Sequence, residues 1–278
     1  MKRKILIIGE IGINHNGQLS LAKKLMDMAK DCGCDAVKFQ KRTPEISTPK
    51  NKINDIRMTP WGKITYLDYK KKIEFGRHDY DQINQYAKKI GLNWFASAWD
   101  IPSLKFLRKY NLQFNKIASA MLTNHSFLKE VAKEKKFTFI STGMSSINDI
   151  KKAITIFKKA KCKFALMHSV ACYPCEEKNL NLNCINTLKK KFKCEVGYSG
   201  HESTLSPSLG AAYLGANYIE RHITLNRAMW GTDQAASLSK IGLMDLVAKI
   251  RKIPIVLGDG KKRILKEEIK KSKDLRYW

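Results

Sequence analysis

A chain of 278 residues with 44% hydrophobic side chains can bury a sizeable core, which excludes a protein that stays disordered. No apolar run approaches the roughly 20 residues that a membrane helix needs, and seven cysteines, an odd number in a chain this long, point to free thiols rather than a disulfide framework. The net charge of +27 admits nucleic-acid binding, but the lysines fall in runs such as Lys151-Lys152, Lys158-Lys159 and Lys189-Lys190-Lys191, with no zinc-finger spacing, RNA-binding aromatic motif or basic zipper beside them; a solvated lysine surface is expected, with nucleic acid not a partner.

The start of the chain has the basic end and apolar run of a signal peptide. That run is short, Glu10 interrupts it and no small-residue cleavage site follows, so it is expected to form the first buried strand of a cytoplasmic protein. From there, apolar β-rich runs at 5–11, 35–40, 93–99, 115–119, 137–142, 164–170, 195–201 and 218–225 alternate with segments of helical period. Leu21, Leu25, Met28 and Cys32 repeat at helical spacing, with Ser20 as the expected N-cap and Gly33 as the stop. Ile147, Ile150, Ile154 and Phe157 follow a Ser146–Asp149 capping box, and Leu243, Leu246, Val247 and Ile250 mark a last helix expected to close at Pro254. Eight β-then-α units with no compositional break predict a single (β/α)8 TIM barrel over residues 1–258 and a short C-terminal helical tail over 259–278, with no separate second domain. A G-x-G-x-x-G turn after the first strand is absent, which counts against a dinucleotide fold. The connection from 41 to 77, carrying Pro44, Pro49 and Pro60, is a long β2–α2 loop of the kind that serves a barrel as a functional lid.

Catalytic groups of such barrels gather at the C-terminal ends of the strands, and polar residues are frequent there. Lys38 and Gln40, Ser199 and His201, and Glu220 and His222 each stand two apart, so each pair shares one face of its strand. A lysine buried on a strand is costly without an anion, so Lys38 and Lys116 point to a phosphate or carboxylate site; internal salt bridges with Glu10 and Glu220 are the alternative. The Ser141-Thr142-Gly143 turn leads into a helix N-terminus, a further place for an anion that an ordinary N-cap would imitate. His201 and His222, on neighbouring strands, can share a divalent ion and leave positions open, where a Lewis acid would polarise an aldehyde oxygen. Cys172-Tyr173-Pro174-Cys175 has metal or redox spacing but no matching second pair, and ordinary thiols are expected there.

These residues carry a likeness. Glu10-Ile11-Gly12-Ile13-Asn14-His15-Asn16-Gly17, Ala36-Val37-Lys38-Phe39-Gln40, Lys116-Ile117-Ala118-Ser119, Ser141-Thr142-Gly143-Met144, Gly197-Tyr198-Ser199-Gly200-His201 and Glu220-Arg221-His222-Ile223-Thr224-Leu225 run collinearly over nearly the whole chain. Together with the segment Arg227 to Ser237, they resemble the catalytic barrel of the sialic acid synthase (N-acetylneuraminate synthase) family. The resemblance implies a transferase that condenses phosphoenolpyruvate with N-acetylmannosamine or a related N-acylated amino-sugar aldehyde and releases phosphate, using manganese or magnesium and acting as a homodimer. By position, Lys38, Lys116, Ser119 and the Ser141-Thr142 turn would hold phosphoenolpyruvate, with Ser199 a further substrate-binding residue. His201 and His222 would bind the metal, while Glu10, Gln40, Tyr173 and Asp233 would face the acceptor or the reacting centre.

The chain departs from the family pattern where the acceptor should bind. Ala120-Met121 replaces a Gly-Glu pair, Ala98-Trp99-Asp100 stands where Thr-Pro is usual, and Ala171 replaces an asparagine. The 278 residues also lack the antifreeze-like domain that in many relatives supplies an arginine to the acceptor across a dimer, so that site is expected to be completed by another chain, left open or built differently. A pseudaminic- or legionaminic-type acceptor is the main alternative within this chemistry, and a non-catalytic barrel acting as a binding partner the alternative outside it.

Overall fold

The computed structural model describes residues 4–278, so residues 1–3 of the N-terminal run lie outside the described residues. Eight parallel strands close into a barrel: β1 (Leu6–Gly12), β2 (Ala36–Lys41), β3 (Asn93–Ala98), β4 (Phe114–Ile117), β5 (Phe137–Ser141), β6 (Phe164–His168), β7 (Glu195–Gly200) and β8 (Tyr218–His222). β8 pairs with β1 to complete the ring. The predicted strands are all present, several of them one to three residues shorter at their C-terminal ends, where the chain turns outward at the mouth. Between and after them run α1 (Leu19–Asp31), α2 (Arg77–Ile90), α3 (Ile101–Leu107), α4 (His125–Lys133), α5 (Ile147–Lys159), α6 (Cys184–Phe192), α7 (Ser206–Tyr213) and α8 (Lys240–Leu257).

The two-residue period of the strands divides the barrel interior into an aromatic floor and a charged mouth. Phe139 on β5 and Tyr218 on β8 meet at 4.8 Å between ring centroids, although their strands are not neighbours, so both rings fill the space inside the ring. Phe95, Phe114 and Phe137 pack around them. Two residues farther along the same faces come Ser97, Lys116, Ser141 and Glu220. The apolar floor excludes water from below, and the polar layer above it is raised to the C-terminal mouth.

Helix ends follow capping chemistry in part. At α5, Ser146 Oγ accepts from Asp149 N and the Asp149 carboxylate accepts from Ser146 N, the expected capping box. Ser146→Ala is predicted to lower stability by about 1 kcal/mol, read as a shift of the urea midpoint with unchanged slope. Two expectations are corrected. Ser20 lies inside α1, which begins at Leu19 behind Gln18 with no side-chain cap, because the turn His15–Gln18 already leads into the helix through its own backbone bonds. α8 does not close at Pro254 but runs on to Leu257; so near a helix end the ring removes one hydrogen bond while its fixed φ still suits the helix. Among the described residues no helix is long and apolar enough to cross a membrane, and all seven cysteines are free thiols.

The segment between β2 and α2 has structure of its own. A helical turn at Pro44–Ser47 precedes an antiparallel hairpin, Ile56–Thr59 with Gly62–Thr65, and a helix at Tyr66–Ile73. This lid docks on the barrel through Tyr69 and Ile73, which pack with Ile13, and through Trp230, whose ring lies 5.3 Å from Tyr69. At the other end of the chain, an exposed helix spans Lys266–Leu275.

Candidate active site

The barrel register decides which side chains meet. Glu10 on β1 is flanked by Lys38 on β2 and His222 on β8, Gln40 by Ser97 on β3, and Ser97 by Lys116 on β4. These groups surround a cavity of about 230 Å³ at the C-terminal mouth, together with Ser119, Ser141, Tyr173, Ser199, His201 and Glu220.

Four charges are buried on the floor of this cavity. Lys38 Nζ lies 2.8 Å from Glu10 and 3.7 Å from Glu220, while Lys116 Nζ reaches across the barrel to Glu220 at 2.8 Å. Ser199 Oγ donates to the same Glu220 at 3.0 Å, and Gln40 Nε2 to Glu10 at 2.9 Å. The internal ion pairs foreseen as an alternative are therefore present, and both lysines line the cavity as well. Burial works to raise Glu220, but Lys116 and Lys38 together hold it down at about 2. Lys116 is lowered by burial in spite of Glu220, because that one carboxylate is shared by two lysines. Lys116 is thus the cation left short of negative charge. Burial pushes Glu10 up to about 7 against the pull of Lys38, and its Oε2 has no hydrogen-bond partner.

The histidines stand at the ends of the neighbouring β7 and β8, with ring centroids 5.5 Å apart. His201 Nδ1 lies 2.7 Å from the Val170 carbonyl, a contact that places its proton there and leaves Nε2 the lone-pair nitrogen. His222 Nδ1 is buried without a hydrogen bond, 3.7 Å from Asp233 Oδ2. Burial holds both imidazoles below their ordinary pKa, His201 at about 4, so both are neutral and able to ligate at physiological pH. Tyr173 lies over His201 at 4.2 Å. Two neutral imidazoles, one with an orphaned buried nitrogen, fit a metal that takes its other ligands from water and substrate. Among the described residues no group of three or more His, Cys, Asp or Glu side chains is arranged to hold a metal by itself.

The predicted residues converge, with two exceptions. Thr142 turns away from the cavity, because its hydroxyl and its N–H both donate to the Met167 carbonyl. Asp233 does not line the cavity and approaches it only through His222. In place of Thr142, Gly143 N donates to both Ser119 Oγ and Ser169 Oγ at 3.1 Å. A Cβ at Gly143 would stand 2.8 Å from Ser119 Oγ, so glycine is what lets the turn close on the two serines. Ser97 and Trp99 also line the cavity, although neither carries a role in the sequence reading, while Ser169 stays outside the lining and supports it through Gly143 and Ser119. Ser97 sits two residues from Phe95 on the inward face and was open to detection, whereas Ser169 lies past the end of β6, where no period places it.

With this geometry, the comparisons with known proteins are specific. The NeuB family profile matches residues 25–262. The chain is 36% identical over 262 residues to human N-acetylneuraminate-9-phosphate synthase, covering 93% of this chain and 73% of that one. It is 37% identical to N,N'-diacetyllegionaminic acid synthase of Campylobacter jejuni over 96% of this chain and 82% of that one. Among solved structures, the N-acetylneuraminic acid synthetase of Leptospira borgpetersenii serovar Hardjo-bovis, determined with citrate, superposes with a TM-score of 0.87 at 33% identity, covering 99% of this chain and 94% of that one. Sequence, barrel and site agree, and the chain belongs to the NeuB family.

Proposed function

We propose that this chain is a nonulosonic acid synthase that joins the methylene carbon of phosphoenolpyruvate to the aldehyde carbon of an N-acylated amino sugar and releases phosphate. The observation that carries the reading is the meeting of two buried lysines, two buried glutamates and two neutral histidines in one small cavity. Lys38 and Lys116 receive the phosphate and carboxylate of phosphoenolpyruvate, with Ser119, Ser141 and Ser199 as hydrogen-bonding partners. The acceptor lies toward Gln40, Tyr173 and Asp233. His201 and His222 would hold a divalent ion, manganese or magnesium, whose chemistry is to polarise the aldehyde oxygen.

As the new C–C bond forms, the aldehyde oxygen takes a proton from solvent and positive charge develops at the enol carbon. Water adds there, and Glu10, poised near neutrality, takes its proton. Breaking the C–O bond then expels phosphate, whose charge the undercompensated Lys116 stabilises. A homodimer and a cytoplasmic setting belong to the same proposal. The exposed Ile241, Ile255 and Val256 of α8 offer apolar surface for a second copy.

The test is inorganic phosphate release from phosphoenolpyruvate with manganese and a panel of N-acylated hexosamines, including legionaminic- and pseudaminic-type acceptors. Release is expected only when protein, metal and sugar are all present. Release without a sugar, or none with any of them, would overturn the proposal.

A further inference from the structure

The segment that follows β6 carries two thiols that the chemistry above does not use. The chain bends at Tyr173 and Pro174, between Cys172 and Cys175, and brings the two side chains within hydrogen-bonding reach of each other. Cys175 is 4% exposed and turned inward, its Sγ 3.5 Å from the Glu176 carbonyl. Cys172 is exposed, and among the described residues it is the one exposed thiol of the seven that are free. Its side chain also lines a cavity of about 600 Å³ that shares Met144 and Ala171 with the active site, so a small oxidant reaches it from solvent. An open thiol beside a sheltered one is the arrangement in which the first is oxidised and the second resolves it. The spacing of the motif alone pointed to ordinary thiols; their contact and unequal exposure point to a pair.

The same stretch holds His201. The Val170 carbonyl lies 2.7 Å from its Nδ1, the Tyr173 ring covers its ring at 4.2 Å, and Cys175 N donates to its carbonyl at 3.0 Å. Tyr173 also stands edge-on to His222 at 5.9 Å. Cys175 is therefore fixed by its backbone bond and its buried side chain, while Cys172 and Tyr173 face solvent. A bond between the two sulfurs must be met by movement of the exposed part of the loop, and Tyr173 lies inside the ring that closes.

We propose that Cys172 and Cys175 are an oxidation site, a dithiol that hydrogen peroxide converts to a disulfide, and that closing it shifts Tyr173 off His201 and turns the active site off until a thiol reductant reopens it. The Cys172 thiolate attacks one peroxide oxygen, the O–O bond breaks, and the departing hydroxide takes up a proton as water, which leaves Cys172 as a sulfenic acid. The Cys175 sulfur then attacks the Cys172 sulfur, the S–O bond breaks, and hydroxide leaves with the Cys175 proton as a second water. Two thiols and one peroxide thus give one disulfide and two waters. The disulfide is independent of the proposed reaction, while its effect on turnover rests on that reading.

The experiment treats the wild-type protein with hydrogen peroxide, alkylates the remaining thiols and weighs the peptide that carries both cysteines. That peptide is expected to have lost two hydrogens and to carry no alkyl group, and dithiothreitol should restore both thiols. In Cys175→Ala the sulfenic acid has no partner, so dimedone is expected to label Cys172. Phosphate release with phosphoenolpyruvate, manganese and an N-acylated hexosamine should fall roughly 10²-fold in the oxidised protein and return on reduction, the scale set by a displacement of about 1 Å in an active site. Manganese affinity, read from the free-ion electron spin resonance signal, should fall and recover with it. Cys172→Ser is expected to keep rate and manganese binding before and after peroxide. Both cysteines alkylated after peroxide, or a bridge from Cys172 to Cys184 of the same cavity instead, would overturn the inference. So would a disulfide that leaves rate and manganese binding unchanged, or an equal loss in Cys172→Ser. A reduced protein that releases no phosphate sinks the reaction, and the peptide mass with the manganese signal then decides the switch.

Discussion

Lys116→Met is expected to lower kcat/KM by roughly 10²–10³, the usual cost of removing one preorganised donor from developing charge. Methionine keeps most of the volume, so the loss reports the ammonium group. Glu220 would keep only Lys38, at 3.7 Å, and the Ser199 hydroxyl. Breaking a buried pair from one side costs on the order of 3–5 kcal/mol. The pH dependence has a definite sign. Glu220 is held at about 2 against an ordinary 4.5, so its ion pair stabilises the fold above pH 4.5, and that contribution is lost as pH falls toward 2. The stability gap between wild type and Lys116→Met should therefore be full at neutral pH and close on acidification, in urea titrations at a series of pH values. A gap independent of pH would show that the contact is not ionic.

Glu10→Gln is expected to reduce kcat by roughly 10²–10⁴ while phosphoenolpyruvate still binds, because the amide keeps the shape and cannot take a proton from water. In the wild type the rate should rise with pH through about 7, where Glu10 ionises, and the variant should lose that limb. Stability moves the other way. The folded pKa of Glu10 is raised from 4.5 to about 7, so the native state holds a proton that the unfolded chain has released; its favourable contribution is complete below pH 4.5 and is lost as pH rises through 7. The amide variant should be at least as stable as wild type at pH 8. Slow turnover with higher stability is the signature of a strained catalytic group, whereas a structural residue would lose both.

Much of this was legible in the sequence because the barrel imposes one rule on every strand. Period 2 placed Lys38 with Gln40 and Glu220 with His222 on single faces, and the ring brought those faces together. The rule stops where the strands stop. Thr142 and Ser169 lie just past β5 and β6, and neither lines the cavity: Thr142 is turned to the Met167 carbonyl and Ser169 supports the Gly143 turn, outcomes set by hydrogen bonds that no pattern announces. The lid was visible only as a long proline-bearing segment. Its hairpin exposes Ile56 and Met58, so apolar alternation there does not mark a buried face, and the turn is made by Thr59 Oγ1 donating to the Gly62 carbonyl.

The most direct measurement is the phosphorus resonance of phosphoenolpyruvate in the presence of the protein and manganese. If the lysines and the imidazoles serve one cavity, bound manganese will broaden that signal strongly in the wild type, and the broadening will vanish in both His222→Ala and Lys116→Met. A signal that stays sharp in the wild type, or that broadens equally in the two variants, would place metal and phosphate at separate sites and contradict the account.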